Sequence, residues 1–140
     1  MGMEIIGRMV SQLKLISENK IPKDINQLRK LFKELGLFVG YYTFEVDMME
    51  KTAAEEANKE ENLNIIYDLF SELTTGGTAQ KENFKKEIMS GEYWKCLRKI
   101  EGNGIGKGRF SQKFAHVCKK EHIPDYIKEA IEYIYEKVNV

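Results

Sequence analysis

Three side chains with hard oxygen donors alternate along the chain at Thr43, Glu45 and Asp47. In an extended backbone every second side chain points to the same face, so these three would share one side. A hydroxyl with carboxylates so placed suits a hard divalent cation such as Mg²⁺. The same residues also suit a plainer use, with Thr43 capping a following helix and Glu45 at its positive end. A second group of interest is Gly104-Ile105-Gly106-Lys107-Gly108-Arg109. Backbone N–H groups at a helix start, with Gly106 and Gly108 admitting close approach, make a phosphate cradle to which Lys107 and Arg109 add positive charge. The spacing lacks the Gly-Lys-Ser/Thr ending of a Walker loop and the preceding strand of a dinucleotide fingerprint. A flexible turn between helices is therefore the plainer reading of that loop.

Other reactive side chains point less clearly to chemistry. His116 and His122 form no ligand spacing with Cys96 and Cys118, so a zinc site is not expected. The two cysteines lack a Cys-x-x-Cys pattern and read as free buried thiols. Tyr93-Trp94 and Tyr133 to Tyr135 recur at helical spacing and read as core rather than as a base-stacking platform.

The elements that must position these residues are mostly helical. Residues 3–18 carry Ile5, Ile6, Met9, Val10, Leu13 and Ile16 on one face. Asp24 is placed to cap a second helix with Ile25, Leu28, Leu31, Phe32 and Leu35 inward and Gly36 as its stop. Residues 37–42, Leu-Phe-Val-Gly-Tyr-Tyr, then read as one short buried strand, which needs a partner for its backbone groups. Helices are predicted over 45–60, 61–73, 79–89 and 91–101, then from about Arg109 to Glu121. A last helix opened by Pro124 is expected to bury Tyr126, Ile127, Ala130, Ile131, Ile134 and, at its end, Val138. The expected fold is mainly α, a single helical domain of about seven to eight helices with one short strand.

The composition places limits on partners. The chain has 22 basic and 22 acidic residues, without the basic excess of a dedicated nucleic-acid module, although one basic face remains compatible with that balance. No apolar run approaches the roughly 20 residues of a membrane span, and no secretory signal is visible, so a cytoplasmic protein without a membrane partner is expected.

Three segments, in order, carry a resemblance. They are Phe38-Val39-Gly40-Tyr41-Tyr42-Thr43-Phe44-Glu45-Val46-Asp47, Gly106-Lys107-Gly108-Arg109-Phe110-Ser111-Gln112, and Ile123-Pro124-Asp125-Tyr126-Ile127-Lys128-Glu129-Ala130-Ile131. Together they resemble the C-terminal part of the Toprim domain of the overcoming-lysogenization-defect (OLD) family of ATP-dependent endonucleases, associated with anti-phage defence. Ser111 stands where that family usually has Ala. The resemblance implies a residual Toprim strand at 37–47, a helical insertion over 48–101, and a closing loop and helices over 102–140. It also implies hydrolysis of DNA with Mg²⁺ or another divalent cation. Thr43 and Glu45, and more weakly Asp47, would hold metal. Lys107 would be the catalytic cation, with Gly106, Gly108 and Arg109 at the phosphate. Such a site further needs an upstream glutamate and an Asp-x-Asp pair, and no Asp-x-Asp or ATP motif occurs here. Weak or absent activity of this chain alone is expected, as is a partner: the missing ATPase and Toprim portion, another chain, or a second copy. The rival reading is a non-catalytic helical module that docks on a partner chain.

Overall fold

A computed structural model describes Arg8 and residues 20–139; the amphipathic segment 3–18 lies outside the described residues. The architecture is mainly helical. The elements are α1 (Ile25–Glu34), α2 (Phe44–Ala54), α3 (Lys59–Leu73), α4 (Thr78–Met89), α5 (Tyr93–Glu101), α6 (Lys107–Val117), a 3₁₀ turn (Lys120–His122) and α7 (Asp125–Val138). These group into two compact units. One is Gly40–Asp125, and the other joins the chain up to Val39 with the chain from Tyr126 onward. No described helix is long and apolar enough to cross a membrane.

The Gly40–Asp125 unit is built on α3, whose Leu63, Ile66, Phe70 and Leu73 recur at three- and four-residue intervals and are all buried. Phe70 stacks on Phe84 of α4 with ring centroids 3.9 Å apart and planes 4° apart. Met48 and Met49 of α2, Cys96 and Ile100 of α5, and Phe110 and Phe114 of α6 complete one core. The helix expected over 45–60 is interrupted. α2 ends at Ala54 and α3 begins at Lys59, with Asn58 in the left-handed region at φ 64°. Residues 55–60 are all polar or small, so continuing α2 would bury nothing, whereas a turn there lets α3 pack back on α2.

In the other unit Asp24 caps α1 as expected, accepting the Gln27 N–H at 2.9 Å. Leu28 and Phe32 are its buried positions. The strand expected at 37–42 does not form; among the described residues there is no strand at all. Its apolar alternation is nevertheless used. Leu37 and Val39 pack on Leu28 and Phe32, while Phe38 lies against Tyr133 at 5.5 Å between ring centroids. The Leu37 N–H donates to the Phe32 carbonyl at 2.7 Å. The segment thus finds its apolar contacts and this backbone acceptor on α1 and α7, and no neighbouring strand supplies a ladder.

α7 departs furthest from expectation. None of its residues is buried; Tyr126, Ile127 and Ala130 are half-buried, and Ile131 and Ile134 are exposed. The arc of α7 that meets its own unit is the other one. Glu129 pairs with Lys33 at 2.7 Å, and Tyr133 lies beside Phe38 and Gly36. Gly36 has φ +76°, and a Cβ there would come within 3.2 Å of the Tyr133 ring.

Candidate functional site

Thr43 opens α2. Its hydroxyl accepts the Val46 N–H at 3.4 Å, the N-cap arrangement that leaves Thr43 holding a helix end. Asp47, one turn into α2, reaches back. Its carboxylate accepts the Tyr41 N–H at 3.0 Å and the Tyr42 N–H at 3.1 Å. Those are the donors that a neighbouring strand would have engaged, so Asp47 substitutes for a sheet partner at the start of the unit. Glu45 differs from both. It is only 5% exposed, in the first turn of α2, and makes no hydrogen bond or ion pair to any described residue. The N-terminal end of the helix favours its negative charge, but burial of an unpaired carboxylate is costly.

The glycine loop forms a tight turn into α6. The Gly106 N–H donates to the Ile100 carbonyl at 2.9 Å and the Ile105 N–H to that of Gly102 at 3.0 Å. Gly104 and Gly106 both have positive φ, at 72° and 76°. A Cβ at Gly104 would fall 2.9 Å from the Thr75 methyl, so this position requires glycine on two counts. Gly106 is the residue before the first turn of α6, with Lys107 its first member. The Lys107 ammonium is ion-paired with Glu101 at 3.1 Å, in an exposed setting where such a pair contributes little. α6 contains no acidic residue, and Arg109, Lys113 and His116 project from its solvent face at four- and three-residue intervals. Arg109 and Lys113 have no acidic partner among the described residues. A basic stripe therefore exists within a chain of zero net charge.

The structure places the two groups at different ends of the α5–α6 hairpin. Tyr42 meets Trp94 at the start of α5 with centroids 5.7 Å apart, and Phe44 meets Phe114 near the end of α6 at 6.5 Å. Lys107 lies at the opposite end, beside Glu101. Seven residues of helix separate Lys107 from Phe114, about 10 Å at the usual rise per residue. Glu45 and Lys107 share one unit without touching. No family model, curated protein or solved structure matches the chain.

Mg²⁺ requires about six oxygen ligands, several of them waters, with one or two carboxylates. Here the Thr43 oxygen and the Asp47 carboxylate already accept backbone N–H groups, leaving Glu45 as the carboxylate not used in this way. Among the described residues no group of three or more His, Cys, Asp or Glu could hold a metal ion.

Three further side chains matter. His122 is fully buried. Its Nδ1 accepts the Lys119 N–H at 2.7 Å, so the proton belongs on Nε2, which faces the Asn62 carbonyl at 2.9 Å. It ties the turn before α7 to the start of α3, a structural use. Trp94 departs from the expected core role: it is 51% exposed, while the adjacent Tyr93 is partly buried. One residue is a 100° rotation about a helix, enough to move a ring from the core to the surface. Cys96 is a buried thiol that burial pushes up to about 12, so it is inert, whereas Cys118 is only partly buried.

Proposed function

We propose that the chain is the C-terminal segment of a Toprim-type, metal-dependent DNA endonuclease, catalytically incomplete on its own. The observation that carries this reading is Glu45, a side chain only 5% exposed that makes no hydrogen bond or ion pair to any described residue, in the first turn of α2. A mostly buried acid whose carboxylate is not engaged by a neighbouring side chain or backbone N–H keeps its oxygens available for a cation whose companion carboxylates belong to another part of the site. The basic stripe of Arg109, Lys113 and His116 on α6 adds support, since it suits a phosphodiester backbone. On this reading Glu45 is a metal ligand and Thr43 and Asp47 hold the backbone around it, while Lys107 and Arg109, with the Gly106 and Gly108 backbone at the other end of the hairpin, meet a phosphate of the same DNA strand away from the metal. The upstream glutamate and Asp-x-Asp pair come from the remaining part of the enzyme. The test is nicking of supercoiled plasmid with Mg²⁺ or Mn²⁺. This chain alone is expected to nick slowly or not at all, and with the missing portion supplied in trans Glu45→Ala is expected to reduce the rate at least about 100-fold, with a smaller loss for Lys107→Ala, which lies at the other end of the hairpin. Metal-dependent nicking, by this chain alone or with the missing Toprim portion supplied in trans, that survives Glu45→Ala refutes the assignment, as does no metal-dependent nicking by the two portions together.

A second reading has its own observation. The apolar face of α7 is open to solvent, which favours a non-catalytic helical module that docks through it on a partner chain. A stable complex formed without any nicking supports the second reading over the first.

A further inference from the structure

α7 carries two opposed faces. One, through Glu129 and Tyr133, meets Lys33, Gly36 and Phe38 of its own unit. The other consists of Ile127, Ile131, Ile134 and Val138. The last three of these are 61%, 61% and 75% exposed. Their spacing of four, three and four residues is the a/d seam of a coiled coil, with β-branched side chains at every position. We infer that α7 is a self-association helix, pairing antiparallel with α7 of a second copy of this chain; this names the partner for the docking reading above.

The seam is self-complementary under a two-fold axis. In antiparallel register Ile131 packs on Ile134 of the second copy and Ile127 on Val138, giving four a/d layers with no charge in any of them. Flanking positions agree. The same register sets Lys128 opposite Tyr135 of the second copy, twice by symmetry, a cation over an aromatic face. Tyr135 is itself 70% exposed and so is available for that contact. Glu129 and Glu136 point away from the seam, so no like-charge pair of carboxylates crosses it. The exposed area of Ile131, Ile134, Tyr135 and Val138 from two copies is on the order of 1,000 Å², where specific interfaces begin. That predicts a reversible dimer of micromolar strength rather than an obligate one.

Sedimentation velocity on the full chain across roughly 1–200 μM tests this, since a micromolar dimer crosses from monomer to dimer in that range. A concentration-dependent dimer is expected. Ile131→Asp and Ile134→Asp should each weaken it at least about 100-fold, because each dimer would bury two unpaired carboxylates. Ile25→Asp, on an exposed residue outside the seam, should leave it unchanged. Circular dichroism of each variant separates lost association from lost folding, as these side chains are exposed in the monomer. A wild-type monomer at 200 μM, or a dimer indifferent to Ile131→Asp, overturns the inference. Where the monomer also binds a hydrophobic dye and Ile131→Asp abolishes that binding, the docking reading stands with a different partner and the second copy is removed. Where the monomer binds no dye, the seam is covered within the chain and both fail.

Discussion

Replacing Asp47 with alanine removes the acceptor of two backbone N–H groups, those of Tyr41 and Tyr42 at 3.0 and 3.1 Å. Hydrogen bonds to a charged group contribute about 1.5–3 kcal/mol each. The two share one carboxylate and are part-buried, so their sum is reduced by non-additivity, and the expected loss is about 2–4 kcal/mol. For a domain of this size that lowers the melting midpoint by roughly 10–20 °C. Asp47→Asn keeps one uncharged acceptor and turns an NH₂ group toward the remaining donor, so about half of the loss is expected. The assay is urea or thermal unfolding of wild type and both variants, with EDTA and again with 5–10 mM Mg²⁺, the concentrations being about those that load weak cation sites. The expected result is the order wild type, Asn, Ala in EDTA, with the same differences in Mg²⁺. A loss under about 0.5 kcal/mol for Asp47→Ala in EDTA refutes the structural role. If, in addition, Mg²⁺ stabilises only the wild type, then Asp47 is a cation ligand, and the hydrogen-bond account of the 37–47 segment fails with it.

Two further outcomes follow from the core of the same unit. His122→Ala should cost about 3–4 kcal/mol, because it opens a cavity under Phe114 and orphans the Asn62 carbonyl and the Lys119 N–H; His122→Phe, which fills the volume, should cost about 2 kcal/mol. No loss for His122→Phe in urea unfolding would contradict the two-sided hydrogen bonding of the ring, and equal losses would contradict the packing contribution. A thiol reagent at pH 8 should modify one cysteine of the folded chain, Cys118, and two after unfolding, since burial holds the Cys96 thiol protonated up to about 12. The sign for stability follows. Folded Cys96 retains a proton that the unfolded thiol releases from its ordinary 9.0 upward, so stability falls as pH rises from about 9 toward 12, and Cys96→Ala should flatten that slope.

The helical content was legible because its signals are local. Asp24 three residues before Gln27, the apolar stripe of Leu63 to Leu73, and the glycines around Lys107 each specify a cap, a buried face or a turn from neighbouring residues alone. Thr43 was legible in the same way as a helix cap. The strand at 37–42 was misread because alternation of apolar residues reports only that two faces are used. Leu37 and Val39 do pack to one side and Phe38 to another, yet helices rather than strands receive them. Nothing within six residues of aromatic and β-branched sequence states whether a ladder partner exists.

Chemical composition and short-range spacing thus determined on their own the mainly helical character, the Asp24 and Thr43 caps and the glycine turn before α6, and which residues carry oxygen donors or positive charge. Only the tertiary structure decided how those donors are spent. It committed Asp47 to the Tyr41 and Tyr42 backbone, kept Glu45 buried without a described partner, set Lys107 against Glu101 at the far end of the hairpin, and turned the isoleucines of α7 outward. The reason is that caps and amphipathic periods depend on residues three or four apart. Burial and hydrogen-bond satisfaction depend instead on which distant surface happens to lie opposite, and a sequence period specifies a face without specifying what covers it.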